Sequence, residues 1–374
     1  AIGVDGAGNP VIVYRRGPGS LETEVLQVEV LHCSDPACAA IASTNTIDYT
    51  GAEVGVHTAF APDGSPVIIF TAFDQAPELY RCTDPDCSDY SITQLADDGW
   101  IGQLTVDPTG NPVMYTVVGD ERRVIACLDP ICADSSTATL DVPQEWGWVG
   151  LTYGRDGHPL LYSIGHDAER QSSPIRVIHC GDATCSRNNT TTHVLDAGEN
   201  EGNLAVAVGA DGNPVIAFGN RQLQVVACND PSCTTTGPAM NVGQQMIIES
   251  ERLGMHIGAD GNPIILLTAA RTTEEPQQPM LAVCADAACE TGTVGVVDTQ
   301  PSVWSTGAAT PDGGVRLAYG NWQELWAASC DGAGCGAGLL DPVTWDQALV
   351  PETSIPTLGP IMEGWVRNSY SRPR

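Results

Sequence analysis

Fourteen cysteines fall into seven pairs, and every pair encloses four residues. The pairs are Cys33/Cys38, Cys82/Cys87, Cys127/Cys132, Cys180/Cys185, Cys228/Cys233, Cys284/Cys289 and Cys330/Cys335. Sulfur at this spacing can do two things: oxidise to a local disulfide or hold zinc. A structural zinc site needs four ligands, with a second Cys or His pair close to the first. Here each pair stands about fifty residues from the next, and no His recurs beside all of them. The pattern therefore predicts seven disulfides, each closing a short hairpin with its sulfurs on facing positions, and with them an oxidising compartment. A cross-link over so few residues adds roughly 2 kcal/mol by the chain-entropy argument. Such a staple is expected to guard the outer edge of its unit more than to organise the fold.

A second set of residues has side chains suited to a ligand. Asp98, Glu145 and Glu249 each lie twelve residues before a turn glycine, and Glu53, Glu199, Glu201 and Glu251 lie close to that offset. Trp100, Trp146, Trp148 and Trp304 are interleaved with them. Indoles stack on a pyranose ring while carboxylates bond its hydroxyls, so the combination suits a glycan. It equally suits a cation, with calcium the natural choice for an all-oxygen site; no other cofactor is called for. The competing expectation has the indoles packing inside the protein and the acids simply solvated. Paired carboxylates could also hydrolyse a glycosidic bond if they stood about 5 to 9 Å apart. The seven histidines follow no recurring pattern, and no G-x-S-x-G, H-E-x-x-H or phosphate-loop motif occurs.

What positions these residues is a repeat. The segment 209–233, GADGNPVIAFGNRQLQVVACNDPSC, joins a D-G-N-P turn, an apolar run, a polar break, a second apolar run and a cysteine knuckle. The same order recurs seven times across 374 residues, with turn-to-turn spacings of 46 to 56. Apolar stretches of four to six residues precede and follow each turn and run into and out of each knuckle, so each unit predicts four short strands. Asp-Gly beside Asn or Pro supplies the positive-φ and preset-φ positions of a tight hairpin. Proline at the first residue of a strand gives up a donor where pairing is cheap to lose. No segment sustains a 3.6-residue period. Four antiparallel strands repeated seven times predict an all-β, seven-bladed β-propeller. The blades would cover about 1–51, 52–97, 98–145, 146–199, 200–248, 249–300 and 301–350. Residues 351–374 form a tail; its segment IMEGWVRNSY (361–370) is similar to EWGWVGLTY (145–153) and is expected to extend the first blade, whose opening strand is short.

In such a ring the D-G-x-P turns and the knuckles share one face, and the second-to-third loops and blade links share the other. The distance from turn to first Cys varies from 14 to 23 residues, with long loops at 15–25, 165–174 and 271–279. Ligand-binding residues collect on variable loops held by a rigid frame, which places the acids and indoles at the channel mouth of that face.

Net charge is −30, from 46 acidic residues against 16 arginines and no lysine. A phosphate-binding surface must be basic, so nucleic acid is excluded as a partner. No apolar run reaches the roughly 18 residues of a membrane helix. Asn188 and Asn189 form overlapping glycosylation sequons.

The turn–strand–strand–knuckle order, ADGNPVIAF…LQVVACNDPSC, resembles repeats of secreted bacterial proteins in which D-G-x-P-V-I is followed by C-x-D-x-x-C. The resemblance implies a propeller and an extracytoplasmic location, and carries over no activity. The Asp-box of sialidases, S-x-D-x-G-x-T-W, is not present. The expected function is a secreted or cell-surface binding or assembly module for a glycan, cation or protein. A polysaccharide hydrolase or lyase and a purely structural subunit are the alternatives.

Overall fold

The computed structural model describes residues 1–16, 25–50, 55–72, 75–95, 99–142, 148–165, 173–197, 203–219, 221–243, 246–248, 253–270, 272, 274–310, 312–321, 324–331 and 334–338. They form seven antiparallel sheets and, among the described residues, no helix. In each sheet the strands lie side by side in chain order, the simple up-and-down blade of a propeller. Blade 2 is representative: Gly55–Phe60, Pro66–Ala72, Gln75–Cys82 and Tyr90–Gln94. Blade 6 carries an extra two-residue strand, Ile247–Ile248, which pairs Pro263–Ala270 beside Gly254–Ile257. The first strand of each blade is innermost. These are Ile2–Val4, Gly55–Phe60, Trp100–Val106, Trp148–Tyr153, Leu204–Val208, Gly254–Ile257 and Trp304–Ala309, and they meet one another around the axis.

The packing explains why the strands read as unbroken apolar runs. Val67, Ile68, Ile69 and Phe70 are all fully buried. Val67 and Ile69 face blade 3, whereas Ile68 and Phe70 face blade 1, so the two-residue period of a strand serves two cores at once. One apolar cluster fills each junction between neighbouring blades. The seventh joins Ala318, Leu325 and Ala327 to Ile2, Ile12 and Leu31, and closes blade 7 on blade 1. Blade 1 has its own inner strand of three residues, with Ile2 paired to Ile12. The tail expected to extend it, 351–374, lies outside the described residues.

The turns are as the residue types require. Gly8, Gly64, Gly110, Gly157, Gly212, Gly261 and Gly313 all have φ between 76° and 91°, a region closed to most side chains. Six of the cysteine pairs are disulfides: Cys33–Cys38, Cys82–Cys87, Cys127–Cys132, Cys180–Cys185, Cys228–Cys233 and Cys284–Cys289. Their Cα separations are 4.8 to 5.0 Å. The seventh pair, Cys330 and Cys335, face each other across a ladder; the side chain of Cys335 lies outside the described residues.

The six disulfides correct the sequence-based expectation in two respects. Their sulfurs do not bridge facing strand positions. Cys38, Cys87, Cys132, Cys185, Cys233 and Cys289 each lie in the loop ahead of the fourth strand, with φ of 52° to 57°. That is left-handed backbone, uncommon for any residue but glycine. Nor do the disulfides sit at the outer edge. All twelve cysteines are buried, and each pair belongs to the apolar cluster shared with the preceding blade, as Cys228 and Cys233 do with blade 4. The reason is local: an aspartate two residues after the first Cys curls the loop. The carbonyls of Asp35, Asp84, Asp129, Asp182, Asp230 and Asp286 accept the N–H of the second cysteine at 3.0 to 3.1 Å. The side chain tightens the curl further. Asp230 Oδ1 accepts the N–H of Ser232 and Thr234, and Oδ2 that of Thr235. The loop so wound sets the second cysteine left-handed and turns its sulfur inward.

Candidate functional site

On the face opposite the turns, each inner strand begins. Eight of the residues singled out there, Glu53, Asp98, Glu145, Trp146, Glu199, Glu201, Glu249 and Glu251, lie outside the described residues. Trp148 opens the inner strand of blade 4 opposite Ile164, and its side chain is outside them too.

The two remaining indoles open equivalent strands and have different surroundings. Trp304 is partly buried against the blade 7–blade 1 core. Its carbonyl accepts the Ser302 hydroxyl at 2.7 Å. Trp100 is 50% exposed. Its ring extends over the first residue of blade 2, Gly55. A β-carbon there would lie 2.5 Å from Thr71 Oγ1, 3.6 Å from Trp100 Cη2 and 3.7 Å from His57 Nε2. Glycine is needed because the hydroxyl of Thr71, bonded to the Gly55 carbonyl, already fills that space. The result is an exposed indole edge with an imidazole and a backbone floor beside it. Covering about 100 Å² of such apolar surface returns roughly 2.5 kcal/mol.

The axial channel holds a cavity of about 550 Å³ at its other end, between blades 6, 7, 1 and 2. Ile2 to Gly6, Phe60 to Pro62, His256 and Gly307 to Thr310 line it. Burial lowers the pKa of His256 below its ordinary 6.5, against an opposing bond to the Gly307 backbone. The lining is chiefly apolar and includes Asp5.

Asp5 also belongs to a clamp between blades 1 and 2 that sequence reasoning missed. His32, the residue before Cys33, places Nε2 3.0 Å from Asp5 Oδ2 and Nδ1 2.6 Å from Asp86 Oδ1. Asp86 belongs to the knuckle of blade 2, and it also accepts the Ser43 hydroxyl at 2.5 Å. Partial burial alone would lower the His32 pKa; the bonds to Asp5 and Asp86 outweigh it and raise the value. Asp5 is held below 3.8 because the Asn9 amide and His32 outweigh burial. Asp86 is held below it by Ser43 and then His32. The clamp's stabilisation through His32 is full below pH 6.5 and is lost as pH rises through the raised value. Its stabilisation through the carboxylates is full above pH 3.8 and is lost as pH falls through the lowered values. His32→Asn is therefore expected to lose roughly 1–2 kcal/mol at pH 5.5, a figure discounted for the exposure of Asp86, and distinctly less at pH 8.5. Urea unfolding at the two pH values reads the difference; equal losses would refute the charged clamp. The available sequence signal was the dipeptide His-Cys, which occurs in blades 1 and 4 alone.

No family model and no curated protein matches the chain. Among solved structures it is similar to the SapL1 lectin in complex with alpha methyl fucoside, at 14% identity and a TM-score of 0.46, over 76% of this chain and 95% of that one. It is similar to the Hadza microbial sialidase Hz136 at 10% identity and a TM-score of 0.47, over 80% of this chain and 72% of that one. A protein of unknown function from Dyadobacter fermentans matches at 14% identity and a TM-score of 0.43, over 79% and 85% of the two chains. At these identities the likeness is one of fold.

Proposed function

We propose that the protein is an extracytoplasmic binding module that seats a glycan on the loop-variable face, with Trp100 as the stacking platform. The observation that carries this reading is the half-exposed indole of Trp100 over Gly55. A large apolar side chain held at a channel mouth by a rigid strand is poised to bury its free face on a sugar ring, and His57 stands close enough to bond a hydroxyl. Six buried disulfides agree with an oxidising location. Among the described residues no helix is long and apolar enough to cross a membrane. The formal charge of −30 opposes binding to nucleic acid.

A glycan array, run with and without calcium and followed by titration of the best hit, tests the proposal. Trp100→Ala is expected to weaken that binding by about 10- to 100-fold, equivalent to roughly 1.4–2.7 kcal/mol, with Trp304→Phe close to wild type. Equal affinity of Trp100→Ala and wild type would exclude the platform. Release of reducing ends from the same glycan would replace the binding module with a hydrolase.

A further inference from the structure

Blade 4 carries a second His-Cys dipeptide, and its histidine is arranged differently from His32. His179 precedes Cys180 as His32 precedes Cys33. Each uses Nδ1 to reach the knuckle of the next blade. For His32 the acceptor is the Asp86 carboxylate; for His179 the contact is the Ser232 hydroxyl, at 3.2 Å. Each turns Nε2 toward the D-G turn of its own blade. There the two sites diverge. His32 Nε2 is hydrogen-bonded to Asp5. His179 Nε2 is buried, with Asp156 Oδ2 only 2.9 Å away and no aligned hydrogen bond between them. A third group joins them in blade 4: His158, the x of the D-G-x-P turn, with Nδ1 3.4 Å from the same Asp156 Oδ2. One ligand atom from each of the three residues lies within 4.8 Å of the other two.

We infer that Asp156 Oδ2, His158 Nδ1 and His179 Nε2 bind a divalent transition-metal ion of the zinc class. Bonds of about 2.0–2.2 Å in tetrahedral array put ligand atoms roughly 3.3–3.5 Å apart, close to the 2.9 and 3.4 Å seen between Asp156 and the two imidazoles. The far atom of two ligands is already tied down, as a metal site requires. Asp156 Oδ1 accepts the His158 backbone N–H at 3.1 Å, which leaves Oδ2 for the ion. The Ser232 hydroxyl holds Nδ1 of His179 and so aims Nε2 inward. An unaligned imidazole nitrogen and carboxylate oxygen at 2.9 Å gain most from a shared cation between them. Two nitrogen donors favour zinc, cobalt or nickel over calcium or magnesium. The side chains of Asp156 and His158 are 39% and 31% exposed, so ions have access and a fourth position faces solvent. The net charge of −30 favours any cation's approach.

The test uses untagged protein stripped with chelator, titrated with zinc by calorimetry in physiological salt and with cobalt by visible absorption. One equivalent is expected, with a tetrahedral or five-coordinate cobalt spectrum. His179→Ala should weaken zinc binding at least 10-fold. His158→Gln, at the turn position whose residue type varies from blade to blade, should do likewise. His32→Asn should keep the full equivalent. Wild-type binding below half an equivalent at 100 µM zinc overturns the inference, as does unchanged affinity in His158→Gln.

Discussion

Replacing Cys228 and Cys233 together by alanine is expected to lower the unfolding free energy by about 3–4 kcal/mol. Two effects add. Removing the cross-link releases chain entropy in the unfolded state, worth about 2 kcal/mol for so short a loop. Removing the sulfurs also empties part of the blade 4–blade 5 core, where the two cysteines are only 4% and 1% exposed; that adds roughly 1–2 kcal/mol. Guanidinium unfolding at pH 7 measures the sum. A loss of no more than about 2 kcal/mol would mean that the disulfide acts as a cross-link alone. The pH matters because Asp230 orders the same loop. Burial pushes its carboxyl up, but the bonds from Thr234, Thr235 and Ser232 prevail and bring it down to about 2. Its contribution is complete above the ordinary 3.8 and disappears as pH falls through about 2, so a measurement at pH 7 leaves it constant.

Phe70→Ala is expected to destabilise the ring by about 3–5 kcal/mol. Phe70 is fully buried. It stacks on Tyr49 of blade 1, with centroids 4.6 Å apart and planes 4° from parallel, and meets Tyr80 edge-on at 4.9 Å. Its loss removes the largest fully buried side chain in the blade 1–blade 2 junction and two aromatic contacts of about 0.5–1.5 kcal/mol each, included in that total. Tyr49 and Tyr80 hang from different strands of a pleated frame and cannot collapse into the gap. Phe70→Leu keeps most of the volume and should cost about 1.5 kcal/mol. The ratio of the two losses, read in one denaturant series, separates packing from a local strand effect. Near-equal losses would show that the frame does relax.

Much of the architecture was legible along the chain because its signals are local. A glycine at φ 88°, as at Gly212, is demanded by a turn of a few residues. A disulfide five residues long chooses its own partner. A run such as Val67 to Phe70, apolar at every position, is what a strand buried on both faces must be. Those features set the number of blades, the strand order and the pairing of six cysteine pairs. Laterally, across the junctions, the sequence is silent. Asp230 winds the loop that turns the Cys233 sulfur inward, but nothing near Cys233 says that blade 4 is what it meets there, and the same holds for the neighbours of Cys38, Cys87, Cys132, Cys185 and Cys289. His32 and Asp86 are 54 residues apart and meet only because adjacent blades bring one knuckle over another.

The indoles make the same division plain. Trp100 and Trp304 open equivalent inner strands, and their sequence position treats them alike. The neighbouring chain separates them: Trp100 runs out over the bare backbone of Gly55, whereas Trp304 folds back onto the core that joins the last blade to the first. Backbone conformation and disulfide partners follow from interactions a few residues long, so the sequence alone determined them. Which side chains face a neighbour and which face a ligand depends on surfaces assembled from chain segments about fifty residues apart. That only the closed ring decided.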